Sequence, residues 1–145
     1  MKRKELIGEN NSNTIKEAID YLERGHAIIF PTDTLYALGV DALNENAIKR
    51  FFSLKKRPME KPIPIFVSDF KMAHQVAFIS KKQEKMLSQF WPGSFTLVLE
   101  KRERTSSLLS AGTDKIGLRI PDSSFVQKLV SRFGRPITAS SANVS

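Results

Sequence analysis

Residues 30–39 read Phe30-Pro31-Thr32-Asp33-Thr34-Leu35-Tyr36-Ala37-Leu38-Gly39, FPTDTLYALG, and follow directly on the apolar run Ala27-Ile28-Ile29-Phe30. A proline and three hydroxyl side chains thus stand where a buried strand ends. Such an ending places backbone amides and hydroxyls at a sheet edge, the position where open α/β folds receive ligands. Thr32 and Thr34 can hydrogen-bond an amino acid, a phosphate or a sugar, and Tyr36 adds a ring and a phenol. The same residues also suit an ordinary strand-ending turn in which the threonines and Asp33 satisfy local amides. Both readings stand on this stretch alone.

Working outward, TIKEAIDYLERG opens with Thr14 three residues before Glu17, a capping box. Ile15, Ala18, Ile19 and Leu22 keep helical spacing, and Gly25 supplies the stop. Ala27–Phe30 is the first strand. A second helix is predicted from Glu45 to Lys55, capped by Asn44, with Ala47, Ile48, Phe51 and Phe52 on one face. Ile63–Val67 reads as a strand in which Pro64 cannot donate, so an edge position or a bulge is expected. Ser68 or Asp69 caps a short helix to Val76, and Ser80 with Gln83 forms a capping box for a helix ending before Trp91-Pro92-Gly93. Phe95–Leu99 and Ile116–Ile120 are strands. Val126, Leu129, Val130 and Phe133 mark a helix stopped at Gly134, and Pro136–Ala139 is a last short strand. Strands and helices mix through the whole length, so the class is α/β, a sheet covered by helices.

The composition fits one domain. A chain of 145 residues buries about two-thirds of its unfolded surface, and no internal repeat or linker divides it. Its purely apolar runs are a few residues long, against the ~20 needed to span a bilayer, and no apolar stretch follows the basic start MKRKELIGEN. With no cysteine, and with His26 and His74 as the two histidines, neither a disulfide framework nor a typical zinc centre is expected. A cytoplasmic protein without a metal cage is the simplest expectation. The net charge of +8 favours polyanions such as nucleotides, RNA or an anionic surface, and is equally compatible with a merely basic exterior.

Two further polar clusters stand out. SLKKRPMEKP carries Lys55, Lys56, Arg57 and Lys61 at the end of the second helix, where cations complement the helix dipole. Pro58 and Pro62 restrict the path of this segment, which favours presenting the charges. A fixed Lys-x-Arg pair suits a polyphosphate, Arg being a planar fork and Lys a point charge. ITASSANVS places Ser140, Ser141 and Asn143 after a short apolar run, as a nucleotide-lining strand end or as a plain Ser/Asn turn. Arg119, inside the apolar strand IGLRIPD, requires an anionic partner, either a protein carboxylate or a ligand carboxylate. Walker, GxSxG and HExxH patterns are absent, and Ser141 has no evident base. Any chemistry here depends on cations and positioned dipoles.

In this order, FPTDTLYALGVDA, FSLKKRPMEKPIPIFV, FWPGSFTLVL, IGLRIPD and ITASSANVS resemble the YrdC-domain family, the L-threonylcarbamoyladenylate synthases. Each motif alone is weak; in series at matching separations they are strongly specific, and the likeness covers nearly everything after Thr14. The resemblance implies a concave YrdC-like domain, a twisted open mixed sheet covered by helices. Residues 1–13 would be an N-terminal extension. Family members continue for several tens of residues past the Ser-Ala-Asn motif, so a missing C-terminal part of the domain is also implied.

The implied reaction joins L-threonine, bicarbonate and ATP, with Mg²⁺, into threonylcarbamoyl-AMP and pyrophosphate. Separate partner proteins then use the product to modify tRNA. By position, Thr34 would contact threonine and Arg119 would pair with its carboxylate, with Ser141 also in the threonine site. Lys55 and Arg57 would be the catalytic cations facing the ATP phosphates, and Lys61 and Asn143 further ATP contacts. Phe66, a histidine in some members, is given no role. The alternative is a basic module that binds double-stranded RNA or tRNA without catalysis.

Overall fold

The computed structural model describes residues 12–55, 58 and 61–141. Helix α1 (Ser12–Glu23) buries Ile15 and Leu22, the periodic positions expected of its apolar face. Thr14 lies inside its first turn and does not cap it. Gly25 adopts φ +80°, a left-handed conformation that glycine tolerates without strain, and so ends the helix and turns the chain.

The opening stretch is a hairpin. Strand β1 (Ile28–Pro31) pairs antiparallel with β2 (Tyr36–Gly39), from Ile28 opposite Gly39 to Pro31 opposite Tyr36, and residues 32–35 form the tip. Pro31 is accommodated because β1 is the edge of its sheet, where no ladder bond is asked of it. The polar stretch therefore turns the chain back instead of simply ending a strand.

Helix α2 (Glu45–Lys55) is capped by Asn44, whose Oδ1 accepts from the Ala47 amide at 3.1 Å. Strand β3 is short, Ile65–Phe66, and Pro64 lies just before it. It is central, between two neighbours, and not the edge that Pro64 suggested. Pro64 contributes through the group it keeps, accepting from the Ala139 amide at 2.8 Å. Helix α3 (Phe70–Val76) is capped by Asp69, and α4 (Lys81–Leu87) by the expected Ser80–Gln83 capping box. Strands β4 (Leu97–Glu100) and β5 (Lys115–Arg119) precede α5 (Ser124–Phe133), which is capped by Ser123 and stopped by Gly134 at φ +79°.

The last predicted strand, Pro136–Ala139, is β6 (Ile137–Thr138), and a strand that was not predicted, β7 (Ser140–Ser141), follows it. The two serve separate sheets where one was expected. The first is antiparallel, in the order β1-β2-β7; the second is mixed, β4-β5-β3-β6, with β3 and β5 parallel. Thr138 joins them: its Oγ1 accepts from the Val40 amide at 2.9 Å, and its own amide donates to the Val40 carbonyl at 3.0 Å. Helices α1 and α5 pack on each other and on β1. Phe51, Phe66, Ile48, Ile65, Leu118 and Leu129 are fully buried, each contributing about 1.5–3 kcal/mol by leaving water.

Candidate functional site

The tip of the β1–β2 hairpin is built by its threonines. Thr32 Oγ1 accepts from the Thr34 amide at 3.1 Å, donates to the Leu35 carbonyl, and lies 3.2 Å from the Thr34 hydroxyl. To this extent the turn reading of the sequence holds. Thr34 is exposed, so the turn presents its side chain to solvent.

Asp33 departs from that reading. Its side chain is 13% exposed and forms an ion pair with Arg119, itself 9% exposed. The second carboxylate oxygen accepts from the Asp122 amide at 2.9 Å, across the fold from the hairpin. Arg119 Nε donates to the Gly93 carbonyl at 2.8 Å, and the guanidinium lies 5.5 Å from the centre of the Phe66 ring. Of the two partners open to Arg119, the structure supplies the protein carboxylate. Removing one member of the pair leaves the other charge without its partner.

Lys55, at the end of α2, is 2% exposed. Its Nζ donates to Ser140 Oγ at 3.1 Å and to the Ser141 carbonyl at 2.7 Å. Strand β7 in turn pairs with β2, Ser141 opposite Ala37 and Ser140 opposite Leu38. The second and third polar clusters of the sequence therefore meet beside the first. The Lys55 ammonium is held by the serine strand and is not displayed on a solvated helix end.

Lys61 is exposed in the turn between α2 and β3, where its amide donates to the Pro58 carbonyl at 3.2 Å. Among the described residues no hydrogen bond or ion pair joins it to Lys55, Ser141 or Arg119. Arg57 and Asn143 lie outside the described residues. Concavities of about 400 Å³ beside Phe78 and Val98, and of about 340 Å³ between Ser68 and Arg132, contain none of these side chains. Among the described residues, hydrogen bonds and strand register bring the site residues together.

Sequence reasoning passed over three contributors. Asp33 was visible in the quoted stretch but weighed only as a local acceptor. Ser140 was noted without a partner. Phe66, left without a role, is the aromatic floor under Arg119 and also meets Phe30 edge to face, with ring centres 6.1 Å apart. None of these pairings follows from spacing, because each joins distant parts of the chain.

Comparison with known proteins agrees with the fold. Residues 20–145 match the model of the Sua5/YciO/YrdC family, which carries the description telomere recombination. A threonylcarbamoyl-AMP synthase from Pyrococcus abyssi is 39% identical over 132 residues, covering 90% of this chain and 39% of that protein. A threonylcarbamoyl-AMP synthase from Vibrio vulnificus is 31% identical over 136 residues, covering 92% of this chain and 73% of that protein. Among solved structures, P. abyssi Sua5 complexed with L-threonine superposes with a TM-score of 0.88 at 38% identity, over 97% of this chain and 41% of that one. The chain therefore spans about two-fifths of the P. abyssi protein and nearly three-quarters of the V. vulnificus one. The order of motifs in the sequence, the two joined sheets and these matches agree: the chain belongs to the Sua5/YciO/YrdC family.

Proposed function

We propose that this chain forms threonylcarbamoyl-AMP and pyrophosphate from L-threonine, bicarbonate and ATP, supplying the activated group for threonylcarbamoyladenosine in tRNA. The observation that carries the reading is the meeting of Lys55 with Ser140 and Ser141 on the strand that pairs with the hairpin of Thr34. The hairpin tip is tied to Arg119 in turn. The similarity to a Sua5 complexed with L-threonine supports the amino acid as a substrate.

In this reading the threonine carboxylate meets Arg119 and its side chain meets Thr34 and Ser141. The amine adds to bicarbonate with loss of water to give a carbamate. A carbamate oxygen then attacks the α-phosphorus of ATP, and the bond to pyrophosphate breaks. Such a transfer asks the protein for alignment and charge neutralisation and needs no side-chain nucleophile. Lys55 and Arg57 neutralise the phosphates, with Lys61 and Asn143 as further nucleotide contacts. Mg²⁺ would enter as part of the MgATP substrate and add to this charge neutralisation.

The test is pyrophosphate release from MgATP and bicarbonate, with and without L-threonine and with L-serine as the control. Release that depends on threonine is expected; release indifferent to the amino acid overturns the reading. The charge of +8 favours a second reading, binding of tRNA or double-stranded RNA. Affinity for an RNA duplex that falls steeply and linearly in log–log form with added salt would support it. No helix among the described residues is long and apolar enough to cross a membrane.

A further inference from the structure

Arg119 is held at two of its three nitrogens: Nε by the Gly93 carbonyl at 2.8 Å and Nη2 by Asp33 Oδ1. Among the described residues no acceptor meets Nη1. A guanidinium is planar, so fixing two nitrogens fixes the direction of the third. Asp33 is itself fixed from the other side, Oδ2 accepting from the Asp122 amide at 2.9 Å. Its partners are 86 and 89 residues away in sequence. The hairpin tip does not need this carboxylate to close its own turn, because Thr32 bonds the Thr34 amide and the Leu35 carbonyl. A turn closed by Thr32 leaves Asp33 available for a task outside the turn.

We propose that Asp33 is the positioning residue of the anion site. Through Arg119 it aims the Nη1 edge at the carboxylate of an amino-acid ligand, and it holds the adjacent Thr34 in register with that edge. The proposal rests on Arg119 being the carboxylate partner in the reading above. A donor already aimed in the ligand-free protein saves the ordering cost of binding. The Asp33 charge opposes an approaching carboxylate, so only a ligand lying in the plane of the fork gains more from Nη1 than it loses. The site therefore selects a geometry as well as a charge.

The test is Asp33→Asn in the full chain. Asparagine keeps the size and one acceptor oxygen but turns a donor towards either Arg119 Nη2 or the Asp122 amide. The expected result is about a tenfold or greater loss of L-threonine affinity, the scale of one charge-assisted hydrogen bond, with ATP affinity changed less than about twofold. On an Arg119→Lys background the same substitution should add nothing, since a residue acting through Arg119 has no effect once the fork is gone. Equal losses for both substrates, or additive losses in the double variant, overturn the proposal.

A readout without substrates separates it from the synthase reading. In ¹⁵N spectra of the ligand-free chain, Arg119 side-chain resonances, assigned by their loss in Arg119→Lys, should report hindered guanidinium rotation that Asp33→Asn releases. Rotation unchanged by Asp33→Asn overturns the proposal. Absence of threonine-dependent pyrophosphate release overturns the synthase reading, and the spectra then decide alone whether Asp33 holds Arg119.

Discussion

Lys55 Nζ donates to the Ser141 carbonyl at 2.7 Å and to Ser140 Oγ at 3.1 Å, tying the end of α2 to β7 across 85 and 86 residues of sequence. The ammonium is buried, so these acceptors stand in for the water it gave up on folding. Position and stability are coupled at this residue.

Lys55→Met keeps the aliphatic stem and removes the donors. The Ser140 hydroxyl and Ser141 carbonyl lose a partner, at a cost of about 1–3 kcal/mol. A lowered thermal midpoint together with lost pyrophosphate release is expected. An unchanged midpoint would show that the ammonium does not hold the strand.

The two serines of β7 should separate. Ser140→Ala removes an acceptor of Lys55 on a side chain that is buried, and should lower the midpoint by the equivalent of about 1 kcal/mol. Ser141 engages Lys55 through its carbonyl, which alanine keeps. Ser141→Ala should therefore keep the bond to Lys55 and reduce turnover. Melting and turnover assays on both variants check this, and the reverse pattern would sink the assignment.

Arg57→Ala and Arg119→Ala should act on different substrates. Loss of the forked cation at 57 should weaken ATP use, and loss at 119 should weaken L-threonine use, each by about ten- to a hundredfold for a charged hydrogen bond removed. Kinetics with each substrate varied in turn decide it. If both variants lost ATP alone, the role given to Arg119 would be wrong.

Gly39 ends β2 against the other sheet. A Cβ there would stand 2.6 Å from Ile137 Cγ2 and 2.8 Å from the Thr138 carbonyl oxygen. Gly39→Ala should force the sheets apart at their junction and cost about 1–3 kcal/mol, the range for overpacked interiors. Chemical denaturation of the variant measures it. A neutral result would mean that the junction yields easily.

Most elements were legible locally. The caps at Asn44, Asp69 and Ser80, the stops at Gly25 and Gly134, and the apolar faces of α1, α2 and α5 each depend on residues a few positions apart, and the structure repeats them. The hairpin was missed because its second strand, Tyr36–Gly39, is short and sits beside the polar tip that drew the reading. The central place of β3 was missed because Pro64 was counted inside the strand when it lies just before it.

By itself the sequence determined the helices, the caps of α2, α3 and α4, most of the strands, the α/β class and the family, because these depend on local spacing or on an ordered series of motifs. Tertiary structure alone decided that two sheets form instead of one and that Asp33 is the partner of Arg119. It also decided that Lys55 is bound to the serine strand and that Phe66 lies beneath the guanidinium. The physical reason is sequence distance. A buried charge must find a partner, which the sequence can demand, but which acceptor meets it is set by strand register and packing between segments 85 and more residues apart.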